Sequence, residues 1–422
     1  MSKAPADFAH PHAAPGQTGT HPPIAYPNDV ITLSRLNAGT TPSGGDDVVA
    51  LVVHVTIILV VLQIFMWKLQ QHYISGIDDK YILITGCDGG IGRLAALRLD
   101  ALGCHVFAGC RTDEAVLSLQ NMATRRLIPI LLDITAQGSI DSAFQVVIDN
   151  LPPGAGLWGI VNNAEVPGKM GPLPWLLDRD FYRIFSVNII GMAKVTSRFL
   201  QLVKKTQGRV VLNGSIHGRF ANPFTGAYCM SKFAVEAYAD VLRRELYVFG
   251  VTVSLVESGN KMTSMYDIQR ISNGTLAAWD DLPEDMKNEY GEEYFRQVLY
   301  LGTKMVPLTG SMSCDDVAEC YEQALFSIWP KSRYTVGVDA MFYLFASYLP
   351  TFLSDIVYRM PGMRAVPPHV HRPAPQYVQL SHNGEELPPP SAARTRTPTS
   401  EQLTRVHHRS GRVVHSASEN SS

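Results

Sequence analysis

The stretch TGCDGGIG, Thr85–Gly92, lies between an apolar run and an amphipathic pattern, and that position indicates the fold class. The run YILI before it has the character of a buried strand. GIGRLAALRLDALG after it has apolar residues at helical spacing and closes on Gly103. A glycine-rich turn between a strand and a helix lets backbone N–H groups approach a pyrophosphate. Because Gly86, Gly90 and Gly92 follow a G-x-x-x-G-x-G spacing, the loop alone leaves an ordinary flexible turn open.

Strand-like and helical patterns alternate from Lys80 onward. Six further strands are predicted after YILI, namely HVFAGC, RLIPILLD, GLWGIV, GRVVLN, VTVSLVE and RYTVG. Alternation over this length predicts an α/β domain at residues 76–362, with a Rossmann-type doubly wound parallel sheet. The carboxyl ends of its strands line the expected ligand crevice.

Composition limits the class of protein. The 422 residues are 46% hydrophobic with a formal net charge of -2, so nucleic acid is not an expected partner. Residues 1–45 and 365–422 carry too little apolar surface to offset chain entropy, which predicts disordered tails. Six scattered cysteines form no metal-binding spacing, so we expect reduced thiols and no metal site.

The run VVALVVHVTIILVVLQIFMW, Val48–Trp67, has no charged residue and is long enough to cross a bilayer. Trp67 and Lys68 close it, as interfacial anchors do. The run starts too late and is too long for a signal peptide. We therefore expect a single transmembrane helix at residues 46–70, and Lys68 weakly favours a cytosolic catalytic domain.

The segment AYCMSK places Tyr228 and Lys232 one helical turn apart. A free tyrosine is a poor base at neutral pH, and a neighbouring ammonium favours its phenolate. An ordinary helix with an exposed lysine is the alternative. Ser215 ends the fifth predicted strand, and Asn162 ends the fourth, so both belong to the expected crevice. Asn188 lies inside a predicted helix, where asparagine is mildly unfavourable.

These motifs, in the order TGCDGGIG, LLDI, VNNA, FSVN, Ser215 and YCMSK, resemble the short-chain dehydrogenase/reductase family over residues 80–340. The resemblance implies hydride transfer between a nicotinamide cofactor and an alcohol/carbonyl pair. It implies that Tyr228 is the general acid/base and that Lys232 favours its phenolate and holds the nicotinamide ribose. It also implies that Ser215 orients the substrate oxygen and that Asn188 supports a proton relay.

The cofactor residues implied by the resemblance include both catalytic side chains. They are Gly86, Asp88, Gly90, Ile91, Gly92, Arg111, Asp133, Asn162, Ala164, Tyr228 and Lys232. The second strand ends in AGCRT, with Arg111 where an acid would select NAD. Because arginine pairs with phosphate, we expect NAD(P)(H) with a preference for NADP, although NAD-dependent relatives can also lack the acid.

The sequence is most similar to the branch of retinol, 17β-hydroxysteroid and D-3-hydroxybutyrate dehydrogenases. Three positions depart from the family pattern: Glu165 replaces the glycine of Asn-Asn-Ala-Gly, Ser258 replaces a proline, and Lys261 replaces an apolar residue. A side chain at position 165 is expected to crowd the cofactor or change the backbone. A catalytically weak nucleotide-binding membrane scaffold is therefore the alternative to an enzyme.

Some segments of the sequence favour a lipophilic alcohol as substrate, and one residue favours a hydroxy acid. The resemblance implies that a long insert at about residues 262–309 forms a lid over the substrate. Its apolar and aromatic side chains suit a flat apolar ligand or pack on one another, and they are Met265, Tyr266, Trp279, Tyr290, Tyr294 and Phe295. The apolar segment 341–358 fits a membrane interface or a substrate entrance. His217 resembles the carboxylate-holding histidine of 3-hydroxybutyrate dehydrogenases, but Thr225 stands where those enzymes carry lysine. The predicted substrate residues are Ser215, His217 and Tyr228, and a steroid- or retinoid-like alcohol is favoured over a hydroxy acid.

The expected partners are a small-molecule substrate and a membrane. The resemblance implies a homodimer or homotetramer formed through the helices around Asn188 and Tyr228. We expect a single-pass membrane protein of the endoplasmic reticulum rather than of a mitochondrial membrane.

Overall fold

The computed structural model describes residues 44–259, 268–305 and 313–359. The chain divides into two units between His72 and Tyr73. The described part of the first unit is dominated by one helix, α1 (Gly44–Gln70). Within the described ranges, Asp47–Gln70 is the one helix long and apolar enough to cross a membrane by length and composition, and none of it is buried. Residues 1–43 and 360–422 lie outside the described residues, as does Lys261. They include most of the predicted N-terminal tail and all of the predicted C-terminal tail.

Seven parallel strands form the sheet of the second unit, in the order β3–β2–β1–β4–β5–β6–β7. They are β1 (Tyr81–Thr85), β2 (His105–Cys110), β3 (Leu127–Leu131), β4 (Gly159–Asn162), β5 (Arg209–Asn213), β6 (Thr252–Ser258) and β7 (Arg333–Val336). The strand order reverses between β1 and β4, where a ligand crevice opens in such sheets. The predicted doubly wound parallel sheet is confirmed.

Helices connect the strands and continue beyond the sheet. They are α2 (Gly90–Ala101), α3 (Asp113–Gln120), α4 (Gln137–Asn150), α5 (Asp178–Phe185), α6 (Met192–Thr206), α7 (Gly226–Leu246), α8 (Ile268–Asp280), α9 (Glu284–Tyr290), α10 (Glu292–Tyr300), α11 (Asp315–Phe326), α12 (Val338–Ser347) and α13 (Thr351–Arg359). A π-helical segment, Ser186–Gly191, joins α5 to α6.

The core lies on both faces of the sheet, because side chains alternate along each strand. On β1, Ile82 and Ile84 face a cluster that α2 and α11 complete. Leu83 faces the opposite cluster, which is built with α4, α6 and α7. All three side chains are fully buried. Packing on both faces makes the ends of the strands rigid. The site residues come directly after these ends, so they are held in place as well.

A third apolar cluster lies around Trp175, which is fully buried. Trp279, Tyr290 and Tyr294 of the predicted lid pack on its ring, with centroids 5.1, 5.5 and 5.9 Å away. Phe295 stacks on Trp279 at 5.0 Å. These four lid aromatics therefore pack on one another and on Trp175, which favours the self-packing alternative. The lid's Met265 and Tyr266 lie outside the described residues.

Candidate active site

The loop after β1 requires glycine at two positions. Gly86 has a φ of 74°, and a Cβ there would lie 2.7 Å from Cα of Ala164. A Cβ on Gly92 would collide with the Gly86 carbonyl and the Asn163 side chain. The loop leads directly into α2, which starts at Gly90 and continues with the buried Ile91. Close backbone approach at a helix N-terminus makes this loop a suitable anion cradle.

Asn163 and Thr85 hold the cradle in place. The Asn163 Nδ2 group donates to the carbonyls of Thr85 and Gly86, at 2.9 and 3.1 Å. The Thr85 hydroxyl accepts from the backbone N–H of Ala164 at 3.0 Å. Tyr321 of α11 donates to Asn163 Oδ1 at 3.2 Å. The segment after β4 therefore fixes the shape of the loop after β1.

The other predicted cofactor residues lie near the carboxyl ends of β2, β3 and β4. Asp88 Oδ1 accepts from the exposed Arg111 backbone N–H at 2.9 Å, which ties the first loop to the second. Asp133 Oδ1 accepts from both the backbone N–H and the hydroxyl of Thr135. Asn162 Nδ2 donates to Thr196 at 3.0 Å, while its buried Oδ1 has no partner among the described residues. Their contacts with a cofactor stay predictions.

Helix α7 brings Tyr228 and Lys232 together one turn apart. Both are buried, and the Lys232 ammonium lies 5.5 Å from the centroid of the Tyr228 ring. Lys232 Nζ donates to the Asn213 carbonyl at the end of β5, at 2.8 Å. A fully buried ammonium is costly unless it is paired, so this lysine is held for a specific contact. The alternative of an exposed lysine on an ordinary helix is wrong.

Glu165 supplies that pairing, a contact that the sequence did not reveal. One carboxylate oxygen, Oε2, accepts from the Tyr228 hydroxyl at 3.2 Å and also forms an ion pair with Lys232 Nζ. The Glu165 side chain is 9% exposed. A carboxylate therefore contacts both members of the Tyr-Lys pair.

Ser215 and His217 form the adjoining wall. The Ser215 hydroxyl lies 3.3 Å from His217 Nδ1 and 3.4 Å from the Ser258 carbonyl. The amide Nδ2 of Asn222 lies 2.8 Å from His217 Nε2. With Asn222 as the donor, Nε2 accepts, and the ring proton sits on Nδ1 facing Ser215.

His217 is electrically neutral at physiological pH. Burial lowers its pKa to about 4, and the nearby Lys232 ammonium acts in the same direction. The imidazole ring packs edge-to-face on Tyr228, with centroids 5.8 Å apart. His217 therefore offers the site a neutral hydrogen-bonding ring rather than a cation.

Asn188 lies in the π-helical segment and is fully buried. The extra residue per turn in such a segment redirects side chains, often at functional sites. Its Oδ1 accepts from the Val166 N–H at 2.8 Å, and its Nδ2 donates to the Val166 carbonyl at 3.0 Å. Nδ2 also contacts the Ser231 hydroxyl at 3.0 Å. Asn188 thus joins α7 to the residue that follows Glu165, while its role in a relay stays a prediction.

The sequence did not reveal the roles of Asn163 and Glu165. Asn163 was available as the second asparagine of VNNA, but only its tertiary contacts distinguish it from Asn162. Glu165 was visible as a departure from the family pattern. Its contact with Tyr228 joins positions 63 residues apart, which no local pattern reports.

Comparison with known proteins gives a consistent result. A family model described as short chain dehydrogenase matches residues 80–271. Retinol dehydrogenase 7 of Rattus norvegicus is 40% identical over 299 residues, covering 69% of this chain and 93% of that protein. The 17-beta-hydroxysteroid dehydrogenase type 6 of Homo sapiens is 40% identical over 292 residues, covering 69% and 91%.

Solved structures share the fold at lower sequence identity. A short-chain dehydrogenase from Streptomyces avermitilis superposes with a TM-score of 0.51 at 22% identity, covering 66% of this chain and 94% of that chain. A 3-ketoacyl-(acyl-carrier-protein) reductase from Brucella melitensis, complexed with NADH, gives 0.50 at 17% identity, covering 63% and 100%. The coverage of the sequence relatives, together with the Tyr-Lys pair and the glycine cradle, settles the family. The chain belongs to the short-chain dehydrogenase/reductase family, whose members are alcohol/carbonyl oxidoreductases that bind NAD(P)(H).

Proposed function

We propose that the protein is a membrane-anchored NAD(P)-dependent oxidoreductase that interconverts a lipophilic primary or secondary alcohol, of the hydroxysteroid or retinol type, and its carbonyl. The observation that carries this proposal is the buried Tyr228–Lys232 pair, whose tyrosine ring packs on His217, the neighbour of Ser215. The names of the sequence relatives support the substrate class.

The proton chemistry belongs to Tyr228 and Ser215. Tyr228 exchanges a proton with the substrate oxygen, and the Lys232 ammonium favours the phenolate that forms. The Ser215 hydroxyl, which donates to the Ser258 carbonyl in the structure, turns to donate to the same oxygen. Asn188 is a positioning residue that acts through Ser231 and Val166.

NAD(P)(H), when bound, supplies or accepts the hydride. The cradle fits its pyrophosphate because a Cβ at Gly86 or Gly92 would fill it, and the N-terminus of α2 favours negative charge. At the nicotinamide end of the site, Glu165 occupies the groups that would hold the cofactor. Its carboxylate contacts Tyr228 and Lys232, the two side chains proposed to bind the nicotinamide ribose.

We assign the preference for NADP to Arg111, whose side chain is exposed just beyond β2. A guanidinium there pairs with a 2′-phosphate, while a hydroxyl gains little from it. Arg111→Ala should raise the KM for NADP about tenfold and leave the KM for NAD unchanged. Equal changes in both KM values would contradict this assignment.

The hydroxy-acid alternative finds no supporting contact. His217 is neutral, and its Nε2 is already bonded to Asn222. The Thr225 hydroxyl donates to the Asn222 carbonyl at 3.1 Å, so it supplies no charge in place of the missing lysine. An apolar alcohol agrees better with the apolar α12, whose Met341, Phe342 and Phe345 are exposed.

Helix α1 is the proposed anchor, and its polar side chains suit hydrocarbon. His54 Nδ1 bonds to the Ala50 carbonyl at 2.6 Å, and the Thr56 hydroxyl bonds to the Val52 carbonyl at 2.7 Å. Polar groups satisfied within a helix are tolerated in a membrane. The full chain should stay in the membrane pellet after alkaline carbonate extraction and co-fractionate with endoplasmic reticulum; release into the supernatant would contradict the anchor.

Helix α7 also carries exposed apolar side chains, Met230, Phe233 and Val241, which suit the proposed self-association through this region. Light scattering of the detergent-solubilised chain should report a dimer or tetramer. A charge at this surface, Phe233→Glu, should give a monomer that retains its nucleotide affinity. A wild-type monomer would remove this part of the proposal.

The test of function is nicotinamide absorbance during turnover by the detergent-solubilised full chain. NAD and NADP are supplied separately with a retinol, 3- and 17-hydroxysteroids, or D-3-hydroxybutyrate. Turnover of a retinol or hydroxysteroid should fall at least about a hundredfold in Tyr228→Phe, which removes only the acid/base hydroxyl. Turnover of D-3-hydroxybutyrate alone would establish the hydroxy-acid alternative. Nucleotide binding without turnover of any substrate would favour the scaffold.

A further inference from the structure

Glu165 is fixed from both sides along the chain. The preceding residue, Ala164, donates its N–H to Thr85, and the following residue, Val166, exchanges two hydrogen bonds with Asn188. The backbone thus presents the Glu165 side chain to α7 from anchored neighbours. Because the backbone on both sides is hydrogen-bonded, the contact of the Glu165 carboxylate with α7 does not depend on a flexible loop.

We propose that Glu165 is a carboxylate latch that competes with the nicotinamide ribose for Lys232 and Tyr228, and so weakens the binding of the nicotinamide half of the cofactor. This inference rests on the proposed function, which assigns the ribose to that pair. The latch opens when the carboxylate turns away from Lys232.

The donors available at the pair are few. An ammonium has three N–H donors, and Lys232 directs one to the Asn213 carbonyl and one to Glu165. A phenol has one O–H donor, and Tyr228 directs it to Glu165 Oε2. The third Lys232 N–H can serve one ribose hydroxyl, but a second ribose contact and the substrate oxygen need the donors that Glu165 holds. The full set of ribose contacts and the proton transfer by Tyr228 therefore require the carboxylate to move.

The carboxylate is costly to displace because its setting is buried. Lys232 Nζ lies in a fully buried side chain, and Glu165 is 9% exposed. In such surroundings an ion pair is screened little by water. The cofactor must replace that pair with neutral hydroxyl contacts, so part of its binding free energy is used to open the latch.

The adenine half of the site does not share this conflict. The glycine cradle is held by Asn163, while Arg111 and Asp133 follow β2 and β3, on the opposite side of β1 from α7 in strand order. A ligand that lacks the nicotinamide ribose meets only that half. Truncated nucleotides thus separate the latch from a general change in the site.

The experiment measures dissociation constants of NADPH, NADH, nicotinamide mononucleotide and ADP by calorimetry on the full chain in detergent. Glu165→Gly and Glu165→Gln are compared with the wild type and with Glu319→Gln, a control at an exposed carboxylate. Glu165→Gly should bind the dinucleotides and the mononucleotide about tenfold more tightly, the scale of one charge-assisted hydrogen bond. Glu165→Gln should lie between, and ADP should change less than about twofold. Circular dichroism confirms that each variant is folded.

The following results overturn the latch. Unchanged or weaker dinucleotide binding in both folded Glu165 variants would refute it. An equal gain for ADP would show a general charge effect instead. If neither the wild type nor the variants bound any of the four ligands, the dinucleotide site itself, and with it the proposed function, would be wrong. Normal ADP binding with no effect of Glu165 would reject the latch alone and leave the proposed function intact.

Discussion

Glu236 on α7 should make the protein lose stability as the pH rises. Its side chain belongs to a cluster of three carboxyl groups and four guanidinium groups. The other members are Glu257, Asp240, Arg333, Arg219, Arg243 and Arg244. Glu236 Oε2 accepts from Arg333 at 3.0 Å, while its buried Oε1 has no partner among the described residues. The pKa of Glu236 is raised to about 8. Burial is the largest cause, and repulsion by the neighbouring Glu257 carboxylate is the second.

The direction follows from proton linkage. An unfolded glutamate loses its proton near its ordinary pKa of 4.5, whereas folded Glu236 keeps it to about pH 8. Between these values the folded state binds more protons, so the free energy of unfolding falls as pH rises. At about 1.4 kcal/mol per pKa unit, this shift bounds the loss at about 5 kcal/mol. The side chain is 12% exposed, so solvent screening reduces that bound only modestly.

Glu236→Gln replaces the titrating carboxyl group by an amide of nearly the same size and shape. The amide oxygen can still accept from Arg333, and the amide nitrogen can donate to Glu257. Urea denaturation should show wild type and variant alike at about pH 4.5, and the variant more stable by about 2–5 kcal/mol at about pH 8.5. Glu293→Gln, at an exposed site on α10, should show no such pH-dependent difference. A Glu236→Gln variant that is equally stable or less stable at the higher pH would refute the reasoning.

Three further predictions follow from buried groups. Trp175→Ala should cost about 3–5 kcal/mol of unfolding free energy by urea denaturation, and Trp175→Phe less, because Trp175 Nε1 has no partner among the described residues. Because the pKa of His217 is lowered to about 4, the pH profile of kcat/KM should show no histidine titration near neutrality, and His217→Gln should lower kcat about tenfold without changing the profile's shape. Burial raises the pKa of the Cys110 thiol to about 12 and raises that of Cys87 more strongly. Mass spectrometry of native protein treated with iodoacetamide at neutral pH should therefore find both cysteines unlabelled. Rapid labelling of either cysteine would contradict its burial.

Local patterns were sufficient to predict the sheet and the proximity of Tyr228 and Lys232 on α7. The strand–glycine turn–helix order at Thr85–Gly92 and the four-residue spacing of Tyr228 and Lys232 are properties of short stretches. The predicted third strand, RLIPILLD, is shorter than expected, at Leu127–Leu131. The chain turns at Asp133, whose carboxylate accepts from the Thr135 N–H.

Other features depend on contacts between distant segments. The π-helical turn at Asn188 cannot be seen in apolar periodicity, because it changes the period over one turn only. The aromatic lid residues suited a flat ligand as well as one another, and only the position of Trp175 decides between those outcomes. His217 looked like a carboxylate ligand until burial and Asn222 made it neutral and bonded.

Glu165 connects the two requirements of this site, a stable fold and an accessible proton donor. A glycine at this position would leave the buried Lys232 ammonium without a carboxylate partner, and an uncompensated buried charge is strongly destabilising. The same carboxylate accepts a hydrogen bond from the Tyr228 hydroxyl, the proposed acid/base group of the reaction. Because both contacts use the single oxygen Oε2, one rotation of the Glu165 side chain releases both groups. Replacing Glu165 by glycine should therefore lower the free energy of unfolding without cofactor and raise the affinity of the site for the nicotinamide half of the cofactor.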